Sequence, residues 1–320
     1  MRSVLLKNLI MPLGAEGYIA AMHTILTHQG WIDCSKAMLA GKTAAAFRFT
    51  VDLRLTDESS TAYNWMAEHF LAADFIGITS SQAAGFNFEP IFPLYQKQAI
   101  SDIQKSLDRG IGCVIWHDRF VVAAGYDDDQ QVLYISDGQT REYQLLPYSQ
   151  FGKGKSPYWH YQILEGRIPL DEIEIYRESL VQAIFKWETH DLMLPKADYA
   201  CGEAAYDMMI NAFQTGNYDP IGAREMINYY AAAKKNISIY IAGLERYWSD
   251  LYVASEEYRA LAEMWEEAAR LLSTSEACAS IHKIIDLFSE AKATEAKAIQ
   301  ALKYLLRETI QNRFHDIGLR

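Results

Sequence analysis

Apolar and polar residues alternate along "AAAFRFTVDLRL". Phe47, Phe49, Val51, Leu53 and Leu55 share one face and Arg48, Thr50, Asp52 and Arg54 the other, which predicts a half-buried strand. After the polar turn "TDESS", the stretch "TAYNWMAEHFLAADF" changes to helical periodicity, and "PLYQKQAISDIQKSLDRG" predicts a second helix closed by Gly110 at its C-cap. "IGCVIWHDRFVVAAGYDDDQQVLYISDG" then holds three strand runs: one before His117, one from Phe120 to Ala124 and one from Val132 to Ser136. Turns at His117-Asp118 and at Asp127 to Gln130 separate them, so an antiparallel meander is expected. From about Pro169 Gly and Pro thin out, and the 3.6-residue period predicts helices near 170–188, 202–215, 221–246, 251–272 and 276–312, a helical bundle. "LEGRIPL" marks the expected boundary between residues 1–166 and 167–320.

The chain has 320 residues, which fits two domains, because single cores stop growing at roughly 250–300 residues. A net charge of −11 argues against a nucleic-acid partner, which needs a dense basic face, and against docking on an anionic membrane. No apolar run approaches the roughly 20 residues of a bilayer span, and Lys7 and Asn8 split the apolar part of the N-terminus, which reads as mature sequence and not as a signal peptide. Cys34, Cys113, Cys201 and Cys278 lie far apart without a CxxC pair, a pattern that suits a reducing cytoplasm and excludes a cysteine zinc cluster. No HExxH or paired-ligand spacing occurs among the histidines, so neither a metal nor a cofactor is expected.

"MPLGAEGYIAAMHTILTHQG" opens like the nucleophile helix of a papain-like cysteine enzyme: an irregular lead, a glycine corner, then small and apolar residues that let a helix sink into a core. Such a helix carries its cysteine in the first turn, where aligned N–H dipoles favour thiolate. Here that place reads Glu16-Gly17. Glu16 is either a glutamate favourably set against the helix dipole or a residue that touches a ligand; Arg119 is either a solvated turn residue or a pocket cation. Arg48 is a candidate receiver of a carboxylate if the polar side of its strand faces a cleft, and a solvated residue otherwise. Cys34, in "GWIDCSKAML", is the candidate thiol, with Asp33 or Ser35 capping a short helix; its plainer reading is a small half-buried side chain. Cys113 reads as strand filler, and Cys201-Gly202 as the opening of a helix. "DDD" at 127–129 suits a solvated hairpin turn, and "GKGKS" lacks the upstream glycine of a phosphate loop.

Four stretches, "LGAEGYIAAMHTIL", "MLAGKTAAAFRFTVDLRL", "GCVIWHDRFVVAAGYDDDQQVLYISDG" and "GEAAYDMMINAF", resemble bacterial proteins of the butirosin biosynthesis protein H N-terminal-like family. The resemblance implies an α+β, papain-like cysteine-peptidase fold domain over 1–166 followed by an all-α helical bundle over 167–320. It also implies acyl transfer from a carrier-protein thioester to an amine, by a Cys at a helix start, a His on the following sheet and an Asp or Asn that orients it. Of those roles only Asp137, in "YISDG", finds a match; the Cys falls on Glu16 and the His on Arg119. The resemblance therefore implies a degenerate, non-catalytic member. It would bind a small peptide, acyl or amine ligand through Glu16, Gly17, Arg48, Arg119 and Asp137, with a carrier protein as a further partner. The alternative is a working thiol acyltransferase or amide hydrolase using Cys34 with His117 or His23. Apolar stripes on the long helices serve a cleft wall or self-association into a homo-oligomer equally well.

Overall fold

The computed structural model describes residues 2–273 and 280–316, with side chains up to 307. It is a mixed α/β chain in two compact units, 1–39 with 66–170 and 40–65 with 171–320. The division expected near residue 166 falls after Leu170, and the segment 40–65 groups with the helices.

The first unit is built on a seven-stranded sheet with antiparallel pairings throughout. Its strands are β1 (Ser3–Leu5), β3 (Ile78–Phe86), β4 (Cys113–Trp116), β5 (Phe120–Asp127), β6 (Val132–Ser136), β7 (Gln144–Pro147) and β8 (Tyr158–Arg167), in the order β3-β8-β4-β5-β6-β7 with β1 paired to β5. The meander expected over residues 113–136 is β4, β5 and β6, with Asp118 at φ +58° in the first turn. In the second turn Asp127 Oδ1 accepts from the amides of Asp129 and Gln130, which is why the acidic run sits there.

Helices lie on both sheet faces. Alternation along each strand sends Cys113, Ile115, Val121, Ala123, Trp159, Tyr161 and Ile163 to one face, where they pack with Phe92, Ile103 and Leu107 of α4 (Phe92–Asp108). α4 has Pro93 in its first turn and ends before Gly110, at φ +82°. Residues such as His160 and Gln162 of β8 point to the opposite face, toward α1 (Gly17–His28) and α3 (Trp65–Asp74). A sheet buried on both faces explains why β4 and β5 read as apolar runs and not as alternation.

The second unit holds α5 (Glu172–Glu188), α6 (Glu203–Thr215), α7 (Pro220–Leu244), α8 (Tyr252–Leu272) and α9 (Ile281–Asp316). These agree with the expected helices to within a few residues; the expected start of the last one at 276, and Cys278, lie outside the described residues. Asp171 caps α5 by accepting from the amides of Ile173 (2.7 Å) and Glu174 (3.3 Å), and Asp219 caps α7 ahead of Pro220.

The strand expected from Phe47 to Leu55 is corrected. Ala45–Phe47 is a 3-10 turn, only Thr50–Asp52 (β2) is extended, and β2 pairs with β9 (Tyr199–Cys201) in a separate two-stranded sheet. Leu55 turns at φ +53°, and Asp52 holds the following loop by accepting from Ser59 and from Thr56 Oγ1, both at 2.6 Å. The alternating apolar residues are nevertheless used: Phe47, Phe49, Val51 and Leu55 are buried, while Leu53 is exposed. Phe49 lies edge-on to Tyr230 (4.8 Å), Tyr206 (4.9 Å) and Trp265 (5.4 Å), and Tyr230 Oη accepts from Thr50 N (3.0 Å) and donates to Thr50 O (2.6 Å). A segment saturated by aromatic and hydrogen-bond partners on α6, α7 and α8 belongs to the bundle, whatever its strand-like pattern.

At the centre of this unit an ion pair is sealed from water. Lys234 Nζ donates to both carboxylate oxygens of Glu295 (2.5 and 2.7 Å), Tyr206 Oη donates to Glu295 Oε2 (2.7 Å), and Trp265 Nε1 donates to Tyr206 Oη (3.1 Å). The ammonium also lies 4.9 Å from the Phe49 ring centroid. Desolvation pushes the Lys234 pKa down, against the pull of Glu295.

Candidate functional site at the start of the first helix

The lead into α1 is fixed by hydrogen bonds to the end of β6 and the turn after it. Met11 N donates to Ser136 Oγ (2.9 Å) and Gly14 N to Gly138 O (2.9 Å). Gly138 has φ +75°, and a Cβ there would collide with the carbonyl oxygen of Ala15. Gly17 makes the corner itself at φ +81°, a conformation that glycine adopts without steric cost. Gly138→Ala is therefore expected to lower stability by about 2–4 kcal/mol, combining left-handed strain with the backbone clash. Urea unfolding of the variant measures it; a change under about 0.5 kcal/mol would show that the Ala15 segment gives way freely.

This lead sets Glu16 at the N-cap of α1, with no cap hydrogen bond from its side chain. Instead Glu16 Oε1 stands 3.8 Å from Arg119 Nη1, just after the turn that joins β4 to β5. With its amide oxygen turned to the guanidinium, Gln139 accepts from Arg119 Nη1 and Nη2, the latter at 3.1 Å. Asp137 is nearly buried one residue before Gly138; its oxygens accept from Gln139 N (2.9 Å) and Gln144 Nε2 (2.7 Å). Glu16, Gly17, Arg119 and Asp137 thus gather at one place, with Asp137 holding the loop that presents Gln139 to Arg119. The Glu16 and Arg119 side chains are 67% and 40% exposed, so the surface they form is open. The cavities of about 440 Å³ (Gln96, Gln104, Asp128, Tyr148) and about 520 Å³ (Phe213, Gln214, His282) include none of these four residues.

Arg48 lies in the other unit. Its guanidinium carbon is 3.4 Å from the Tyr63 ring centroid and its Nη2 donates to Tyr229 Oη at 3.4 Å, so aromatic partners already occupy it. Cys34 is half-buried beyond the far end of α1, where its carbonyl meets His23 Nε2 (2.8 Å). Ser35 Oγ accepts from Met38 N (3.3 Å) at the start of the short helix α2 (Lys36–Lys42), as one of the two expected caps would. His117 is fastened by its amide to Arg119 O (2.9 Å), and its buried Nδ1 has no hydrogen-bond partner. A 12-residue α1 is about 18 Å long, which separates the Cys34 end from the Arg119 end. Cys113 is buried in β4, where desolvation pushes its thiol up to about 12, and Cys201 ends β9, also with a raised pKa from burial. Among the described residues no group of three or more His, Cys, Asp or Glu is arranged to hold a metal.

Beneath the start of α1 lies a polar cluster that the sequence reading did not assemble. The Tyr18 ring stacks on His69 at 3.6 Å and 4°. Tyr18 Oη donates to Gln162 Oε1 (2.8 Å), and Gln162 Nε2 donates to His69 O (3.0 Å) and Ser80 Oγ (3.1 Å). His69 Nδ1 lies 3.2 Å from His160 Nε2, which is itself 3.3 Å from Gln82 Oε1. Burial drives the His160 pKa down to about 3, so that ring is neutral at ordinary pH. Tyr18, His69, His160 and Gln162 are all buried, and their bonds tie α1, α3, β3 and β8 together immediately behind Glu16. The signal was the order His160-Tyr161-Gln162 inside an aromatic run, which marks a polar strand face; it identifies a cluster only once that face is known to be covered. No helix among the described residues is long and apolar enough to cross a membrane. No protein-family model matches this chain, and no curated protein matches it either.

Proposed function

We propose that the chain is a cytoplasmic, non-catalytic binding protein of the butirosin-H-like, papain-like type, whose ligand surface is the start of α1. The observation that carries this reading is the 3.8 Å approach of Glu16 and Arg119 where a thiol and an imidazole would serve catalysis. A carboxylate and a guanidinium supply neither the thiolate nor the imidazole that thiol-type acyl transfer uses. They do offer one acceptor for an ammonium and one planar donor for a carboxylate or acyl oxygen. An exposed ion pair of this separation is worth about 0–1 kcal/mol, so a ligand carrying both groups separates it at little cost. The buried Tyr18 cluster supplies the rigidity, since it holds the helix start while the surface residues exchange partners.

The test is titration of the uniformly 15N-labelled protein with the zwitterionic dipeptide glycyl-leucine and with its N-acetylated form. Shifts are expected at Gly17, Arg119 and Gly138, weaker for the acetylated peptide and lost in Arg119→Ala. Shifts that persist unchanged in Arg119→Ala, or that never occur, would defeat the proposal. Iodoacetamide labelling at neutral pH tests the acyl-transfer alternative: rapid, selective modification of Cys34 that disappears in His23→Ala or His117→Ala would favour a working thiol over a binder.

A further inference from the structure

We propose that β3 is the pairing edge of a two-fold homodimer, in which two copies of the chain join their sheets antiparallel through this strand. β3 stands at one end of the sheet order and, among the described residues, pairs on one side only, with β8. An unprotected edge strand presents a row of backbone donors and acceptors, and folds usually blunt such edges with charge, proline or shortness. The opposite edge follows that rule: β7 is four residues long and ends in Pro147. β3 does not. It is nine residues, "ITSSQAAGF", without a charge or a proline. After a register shift between Thr79 and Ser80 it pairs without interruption from Ser80 to Phe86.

The ends of the strand suit self-pairing about a two-fold axis. Phe86 and Phe88 stack on each other at 5.0 Å, Phe86 lies 5.5 Å from Tyr158, and all three side chains are exposed. At the other end Ile168, whose amide donates to Gly77 O (2.8 Å), and Leu170 are exposed at 57% and 43%. Antiparallel pairing reverses one copy against the other, so each aromatic end meets the partner's Ile168 and Leu170 end, and the match occurs twice. No like charges face each other along an uncharged strand. Seven paired residues make about seven backbone hydrogen bonds over about 24 Å, close to the number in a standard interface, with the apolar ends adding buried area.

The experiment is light scattering coupled to size exclusion on the full chain at tens of micromolar, with hydrogen exchange at two concentrations. The wild type is expected at about twice the chain mass of 36.4 kDa, with amides of 78–86 gaining protection as concentration rises. Ser81 is exposed and, with 80–86 paired about residue 83, stands opposite residue 85 of the second copy, so Ser81→Lys leaves the fold intact by circular dichroism while placing a charge in the seam at two symmetric positions; dimerisation should weaken about tenfold or more. Phe88→Ser tests the aromatic end independently. A monomeric wild type overturns the proposal. A dimer that survives Ser81→Lys and Phe88→Ser, without concentration-dependent protection of 78–86, also overturns it and places self-association elsewhere, such as on the helices.

Discussion

Lys234→Met is expected to destabilise the helical unit by about 3–5 kcal/mol, a large share of the 5–15 kcal/mol that holds an ordinary domain together. The loss does not measure the strength of the ion pair. Lys234 and Glu295 are nearly inaccessible to solvent, so both gave up hydration on folding and recover it only through each other and Tyr206. Removing the ammonium leaves the Glu295 carboxylate among Phe49, Tyr206 and Trp265 with one hydroxyl donor and no counter-charge. Glu295→Gln should cost a similar amount for the reciprocal reason. The double variant Lys234→Met with Glu295→Gln leaves no buried charge and should recover at least half of either single loss. Urea unfolding of the four proteins gives the coupling directly. Equal losses in single and double variants would show that packing around the Lys234 stem, not the uncompensated charge, dominates.

The same ion pair shows what a sequence pattern leaves hidden. Lys234 and Lys235 are adjacent, one sealed in the bundle and the other exposed and paired with Glu266, and local periodicity does not rank them. Helices α5 to α8 were legible because their period of 3.6 and their caps, such as Asp171 and Asp219 before Pro220, are local properties. The β4-β5-β6 meander was legible because short turns force sequential strands to pair. β3 was not, because "ITSSQAAGF" carries neither alternation nor β-branched density, and its partner residues on β8 lie 72 to 89 positions later, from Phe86↔Tyr158 to Ile78↔Arg167. The segment from Phe47 to Leu55 shows the limit from the other side. Its alternation marked most of the buried side chains correctly, but burial comes from a 3-10 turn, a three-residue strand and a left-handed Leu55 docked among tyrosines of the bundle.

The site follows the same division. Glu16 and Arg119, placed by the family resemblance at the positions of a cysteine and a histidine, are neighbours in space because β5 and β6 pair in sequence order and the lead to α1 runs along the end of β6. The support beneath them was invisible. Tyr18, His69 and His160 are 51 and 91 residues apart along the chain, and only the packing of α1 and α3 on the β3-β8 face unites them. Arg48 shows the converse: its expected role depended on a strand face, and without that strand the guanidinium settles on Tyr63.

His160 also makes the cluster an acid-sensitive support, with the sign set by its environment. Its folded pKa is depressed to about 3 by burial, whereas in the unfolded chain it titrates near the ordinary value of 6.5. Above pH 6.5 both states are neutral and the histidine contributes nothing to pH dependence. As pH falls below 6.5 the unfolded state takes up a proton that the folded state refuses, so stability falls by about 1.4 kcal/mol per pH unit, through the window that ends near pH 3. Between pH 6.5 and 4.5 the loss assigned to this group is about 2–3 kcal/mol. Its Nε2 faces His69 Nδ1 and Gln82 Oε1, and desolvation is what disfavours its charged form. His160→Gln keeps an amide able to bond His69 and removes the titration. The wild type should therefore lose about 2–3 kcal/mol more than His160→Gln over those two pH units, read by urea unfolding at each pH, while the His160 ring nitrogens show no protonation by NMR down to pH 5. Parallel pH curves for the two proteins would mean that His160 is hydrated or charged in the folded chain, and that the cluster behind Tyr18 does not rest on a neutral His160.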